Sequence, residues 1–351
     1  MTRSGHYNFA CPSIDSGRSQ RTMTLVSITR QEFDMSSLKS VQDFKAKYVV
    51  DGQAVGFGSI KCRWTDDGIH LGDDLLPFDV IVDTTSRDKR IVILLDQNFV
   101  VTGKMAKRLM QGPAIALEPS GIDARQLEMA IDKQCSAREA AARRRQLESD
   151  GQAHLIREET CPVCESTIDL SGLDRTEYTY CRFCESLFTR HSCTDGTKYR
   201  TCDQCGMFDH IQPYTEAYFY FLLIVYGFSH KQVYLCHSCA HKLFLKMLGL
   251  NFIFILGVPS AVWVKIKSAV NRKNDFEGLD KANALSKSGK PQEAMHYYQT
   301  VLADNPNHPA VLMNKALGQL NGGDQSGAVS SLQESVRACN HYDPVVRLLS
   351  Q

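Results

Sequence analysis

The chain has 351 residues, too many for one ordinary core, and at roughly 100–200 residues per domain two or three modules are expected. Hydrophobic residues make up 43% and charged residues 23%, which excludes wholesale disorder. Forty basic residues against thirty-nine acidic ones leave a formal charge of +1, so no global field argues for nucleic acid or an anionic surface.

Residues 1–45 show no clear periodicity and read as a disordered tail, with Met35 as an alternative start. Met1–Asp34 is polar and lacks an apolar h-region, so no cleavable signal peptide is expected, and the chain reads as cytoplasmic. From about Tyr48 the pattern turns to strands. Val55–Trp64 alternates, Asp66-Asp67-Gly68 marks a turn, and Phe78–Asp83, Arg90–Leu95 and Phe99–Thr102 are short β-rich runs. A helix is expected from about Ile122, with Leu127, Ala130, Ile131 and Cys135 on one side. Several strands closed by one helix over 46–135 resemble a pleckstrin-homology-like or GRAM-like module. That resemblance implies a small β-barrel or roll, and only its fold is carried over. The helix runs on to Ser149 through Ala140–Arg145, so 136–158 reads as a solvated helical linker.

Thirteen cysteines are the one unusual count. Eight form four Cys-x-x-Cys pairs: Cys161/Cys164, Cys181/Cys184, Cys202/Cys205 and Cys236/Cys239. Such tight pairs in a reducing compartment favour metal ligation over disulfides. Two thiolates two residues apart reach one ion across a knuckle, and two knuckles complete a tetrahedron with Zn–S of about 2.3 Å. The first site is Cys161, Cys164, Cys181 and Cys184, with sixteen residues between the pairs; the second is Cys202, Cys205, Cys236 and Cys239, with thirty. Alternation of the pairs, as in cross-braced modules, is the other possible pairing. Two Zn²⁺ ions are thus expected as structural cofactors, since four sulfurs leave no open position.

Each four-thiolate site carries a formal charge of −2, which nearby cations must offset. Arg182, Lys198, Arg200 and Lys242 are the candidates. Gly206 suits a left-handed position after its knuckle, whereas Glu165 and Glu185 depart from glycine and predict less regular turns. Cys193, His191, His237 and His241 read as bystanders. The motifs Cys-Pro-Val-Cys, Cys-Arg-Phe-Cys, Cys-Asp-Gln-Cys and Cys-His-Ser-Cys resemble tandem zinc-ribbon or rubredoxin-like knuckles over 159–241. That family binds nucleic acid, protein or neither, so the resemblance implies a metal and no partner.

Two apolar runs flank the last knuckle. Ala217–Phe228 is too short to span a bilayer, while Met247–Val264 is eighteen residues without a charge, within an apolar segment drawn at 242–270. Asn251, Gly257, Pro259 and Ser260 argue against a span. A segment lying in a membrane surface, on its cytoplasmic face, and a buried helix pair both remain open. Beyond it, 274–351 repeats with a period of thirty-four: Ala282/Ala316, Gly289/Gly323, Ala294/Ala328 and Tyr298/Leu332. With Pro306 ending the first unit, this resembles two tetratricopeptide repeats, which implies a protein or peptide partner. Asn340 stands where the first unit has Pro306, and Asp343–Gln351 is expected to cap the array.

No phosphate-loop, dinucleotide, nucleophile-elbow or zincin motif is present. Asp66/Asp67 and Asp73/Asp74 sit in turns, and Cys62 reads as core. The expectation is a multi-domain α+β, non-enzymatic zinc scaffold or adaptor: an N-terminal β-barrel or roll with a closing helix, a zinc-ribbon-like middle and an all-α helical-repeat C-terminus. A zinc-ribbon nucleic-acid binder is the alternative.

Overall fold

The computed structural model describes residues 43–50, 53–87, 89–99, 113–222, 225–251 and 275–350. The chain is mixed α+β and divides into two compact units, Met1–Ser171 and Gly172–Gln351.

The first unit is built on an antiparallel sheet of seven strands. These are β1 (Asp43–Val50), β2 (Gln53–Trp64), β3 (Gly68–Leu71), β4 (Asp74–Pro77), β5 (Ile81–Arg87), β6 (Arg90–Leu95) and β7 (Ala114–Ser120). Their order is β4-β3-β2-β1-β7-β6-β5. β4 and β5 are the two edges, so the sheet is an open roll. A register shift between Ala46 and Tyr48 bends β1 where it passes between β2 and β7. Alternation puts Phe44, Ala46, Ile91, Ile93, Leu95, Ile115 and Leu117 on the buried face.

Helix α1 (Ala124–Ser149) closes that face with Leu127, Ile131 and Cys135. Asp123 caps it by accepting from the Arg125 and Gln126 amides, so the helix starts just after the expected Ile122. It is tied down by Thr84 and Ser86 of β5, whose hydroxyls bond Asp132 and Glu128. Cys62 is buried, and burial pushes its thiol up to about 12, which suits a core residue.

Four expectations change here. The run from Phe78 is a 3-10 turn over Phe78–Val80, and the strand begins only at Ile81. Strand pairing starts at Asp43, inside the expected tail. The second half of α1 is mostly exposed, as a spacer is, but Ala140 and Leu147 are buried and Arg144 pairs with Glu158. That half packs on the hairpin of β8 (Glu158–Thr160) and β9 (Thr167–Asp169), where Ser136 Oγ accepts from the Thr167 amide at 3.1 Å. Phe99–Thr102 gives no strand at Phe99, and its remaining residues lie outside the described set.

The second unit begins with short strands: β10 (Thr179–Tyr180), β11 (Leu187–Phe188), β12 (Cys193–Thr194), β13 (Tyr199–Thr201) and β14 (Phe208–His210). The long hairpin of β15 (Gln212–Leu222) and β16 (Val225–Leu235) follows. Of the apolar run Ala217–Phe228, the described residues are strand, Ala217–Leu222 in β15 and Val225–Phe228 in β16. Helix α2 (His237–Asn251) follows it. Of the Met247–Val264 run, only Met247–Asn251 is described, as the end of α2. No helix among the described residues is long and apolar enough to cross a membrane.

The C-terminus is helical: α3 (Leu279–Lys287), α4 (Pro291–Asp304), α5 (Pro309–Asn321), α6 (Gln325–Ala338) and α7 (Asp343–Leu349). α4 and α6 begin and end thirty-four residues apart. Gly289 and Gly323, at φ 78° and 79°, make the same left-handed turn before them. Ala282, Ala294, Ala316 and Ala328 are fully buried, which lets the helices approach closely. These helices share one core with the small strands, where Tyr180, Leu187, Tyr199 and Phe208 meet Phe276, Leu279, Tyr298 and Val311.

Candidate metal centres

Each knuckle is a tight turn held by its own backbone. In the first, the Cys161 amide donates to the Ser166 carbonyl and the Glu165 amide to the Cys161 carbonyl, both at 3.0 Å. The second repeats this at 2.8 Å with Cys181, Ser186 and Glu185, and the third at 2.9 Å with Cys202, Met207 and Gly206. The turn demands a left-handed residue after the second cysteine. Glu165 (φ 60°) and Glu185 (φ 63°) adopt it as Gly206 (φ 67°) does. The expected irregularity is thus absent, and the two glutamates accept strain that glycine avoids. The fourth knuckle differs: Cys236 immediately precedes α2 and Cys239 lies in its first turn.

These turns bring the eight thiols together as two groups of four. Cys161, Cys164, Cys181 and Cys184 form one, and Cys202, Cys205, Cys236 and Cys239 the other, with all sulfurs of a group within 4.8 Å of one another. Consecutive knuckles combine, and the cross-braced alternative does not occur. A zinc ion bonded at about 2.3 Å to four sulfurs in a tetrahedron holds them ~3.8 Å apart. Cys205 and Cys236 stand at 3.9 Å, so the donor set fits that ion. Cys193, His191, His237 and His241 belong to neither group. No disulfide joins the described cysteines.

The surroundings hold the sulfurs by polar contact. Ser166 Oγ lies 3.4 Å from Cys164 Sγ and Ser186 Oγ 3.0 Å from Cys184 Sγ. Ser186 Oγ also accepts from the Gly196 amide at 2.9 Å. The shared sequence Cys-x-x-Cys-Glu-Ser carried this signal.

In the second group Lys287, at the end of α3, points its ammonium at Cys236 (3.4 Å), Cys205 (3.7 Å) and Cys239 (4.0 Å) and bonds Ser238. Burial alone works against that charge, but Cys236, Cys205 and Cys239 outweigh it and hold the lysine above its usual range. Within the group, hydrogen bonds from Cys202, Cys205 and Cys239 push Cys236 down, while Cys205 and Cys239 are pushed up, so the four thiols share one negative charge that Lys287 faces. No local pattern marks Lys287, which lies far along the chain from its cysteines.

The expected cations are otherwise engaged. Arg200 pairs with Glu185 at 3.3 Å and stacks over Tyr234 at 4.1 Å. Lys198 pairs with Asp195, and Arg182 lies over Phe183. Lys242 lines a cleft of about 470 Å³ beside the second group, with Gln204, Cys205, Cys239, Lys287 and Asn321.

A second polar constellation fixes β14 to the helices. Asn314 Oδ1 accepts from the Phe208 amide at 2.8 Å, while Asn314 Nδ2 and Asn283 Nδ2 both donate to the Phe208 carbonyl, at 2.6 and 3.0 Å. Both asparagines are fully buried, and Tyr298 donates to Asn283 Oδ1 at 2.9 Å. Asn283 and Asn314 lie on the first helix of each helical pair, so that face of the array is taken up by the chain's own strand.

Comparison with known proteins found no matching family model, curated protein or solved structure.

Proposed function

We propose that the chain is a non-enzymatic, zinc-stabilised scaffold of the cytoplasm. Two structural Zn²⁺ ions hold the small strands in shape, and the helical pairs, read as two tetratricopeptide-like repeats, serve protein–protein interaction. The observation that carries this reading is the gathering of eight cysteines into two four-sulfur groups on hydrogen-bonded knuckles. Closed four-sulfur sites hold shape and leave no position for substrate. The seven-stranded roll and its closing helix support reading the first unit as a pleckstrin-homology-like module.

With the first-helix face occupied by β14, a protein partner would meet the array elsewhere, where Leu320, Val329, Val346 and Leu349 stay exposed. The test is metal analysis of the purified chain. Two equivalents of zinc are expected, and one in Cys181→Ser. Metal-free protein, or cysteines joined to one another, would overturn the reading.

A further inference from the structure

The two cysteine groups are not equally protected. Cys161, Cys164, Cys181 and Cys184 are at most 1% exposed. In the second group Cys202, Cys236 and Cys239 are buried, but Cys205 is partly open to solvent. It opens into the 470 Å³ cleft, whose other lining residues include Cys239, Gln204 and Asn321. A thiolate reacts as far as it is ionised and reachable. Metal ligation supplies the first condition at all eight sulfurs, while the cleft supplies the second at Cys205.

We infer that Cys205 is a modification site, at which hydrogen peroxide attacks the second group and frees its metal. The inference rests on the zinc reading. The chemistry balances within the group. Cys205 Sγ attacks one peroxide oxygen; the S–O bond forms, the O–O bond breaks and hydroxide leaves. The sulfur is oxidised to a sulfenic acid and the peroxide is reduced. Cys236 Sγ, 3.9 Å away, then attacks the sulfenic sulfur and expels a second hydroxide, leaving a Cys205–Cys236 disulfide. Two of four ligands are gone, and the ion departs. Lys287, placed against both sulfurs, contacts them in the reduced state.

The experiment uses the full zinc-loaded chain, with metal content measured first. Peroxide is added with a chromogenic zinc chelator, and cysteine oxidation is mapped by peptide mass spectrometry over time. One equivalent is expected to leave about tenfold faster than the other, with oxidation first at Cys205. Gln204→Trp, which keeps all eight ligands and adds bulk to a residue lining the cleft, is expected to slow the fast equivalent toward the slow one. Two equivalents leaving at one rate, first oxidation at another cysteine, or an unaltered fast phase in Gln204→Trp would each overturn the inference and leave the zinc reading intact. Protein without metal at the outset would remove both.

Discussion

Replacing Asn314 by alanine tests whether the helices and the small strands form one folded body. The side chain makes three hydrogen bonds: from the Phe208 amide, to the Phe208 carbonyl and to Asn283 Oδ1. The carbonyl keeps Asn283, and Asn283 Oδ1 keeps Tyr298, so those two losses cost about 1 kcal/mol each at most. The Phe208 amide keeps nothing, and an orphaned buried donor costs about 1–3 kcal/mol. The sum is about 1–5 kcal/mol, a fall in melting temperature of roughly 2–20 °C for a unit of this size. Thermal unfolding of the zinc-loaded chain measures it, and hydrogen exchange at the β14 peptide locates it. Asn314→Asp sharpens the test. It keeps the acceptor for the Phe208 amide but cannot donate when ionised, and it buries a charge, so it should be at least as damaging. A loss below about 0.5 kcal/mol for alanine, or a benign aspartate, would refute the coupling.

Gly196→Ala should abolish the second knuckle, because a Cβ there would overlap the Cys184 carbonyl and the Glu185–Ser186 peptide; retention of two zinc equivalents would contradict this. Lys287→Met should weaken the second site about 10- to 100-fold in a chelator competition and leave the first unchanged, as loss of an outer partner to ligating sulfurs does. Equal affinities in variant and parent would count against the lysine's role. Burial pushes the His308 imidazole down to about 3, so the folded chain refuses a proton that the unfolded chain takes below pH 6.5. Its stabilising contribution is therefore complete above pH 6.5 and declines as pH falls, by about 1.4 kcal/mol between pH 7.5 and 5.5. Urea titrations should show that slope in the parent and lose it in His308→Phe.

The cysteine spacing was legible because a tetrahedral site needs only two short turns, and each turn is local. The thirty-four-residue period was legible for a similar reason: Ala282, Ala294, Ala316 and Ala328 are small because helices cross there. Other parts depended on distant partners. β7 carries outward alanines and Pro119, so its alternation is muted until β1 and β6 are seen on either side. Ala217–Phe228 is a continuous apolar run, a pattern shared by buried helices and strands; its aromatic content was the neglected sign of β structure. Lys287, Asn283 and Asn314 were invisible as site residues, since each acts on a segment far away in sequence. The regularity of the Glu165 and Glu185 turns shows that backbone hydrogen bonds can impose a left-handed residue where glycine is absent.

The union of strands and helices answers two deficits at once. Strands of two or three residues bury too little to fold alone, and metal ligation can supply on the order of 10 kcal/mol per site. Two helical pairs alone bury too little as well, since their outer faces need neighbours. Here β14 serves as one such neighbour. Its backbone is read by Asn283 and Asn314, and Phe208 sits among Tyr199, Phe276 and His308. At the far end Val345 of α7 is buried, and Asn340, where a proline was expected, donates to the Asp174 carbonyl at 3.0 Å. On the zinc reading proposed above, the stability of the helices would be linked to metal at the second group, through Lys287 of α3 on one side and β14 on the other. A chelator strong enough to strip that site should lower the melting of α3–α6, although no helix residue is itself a ligand.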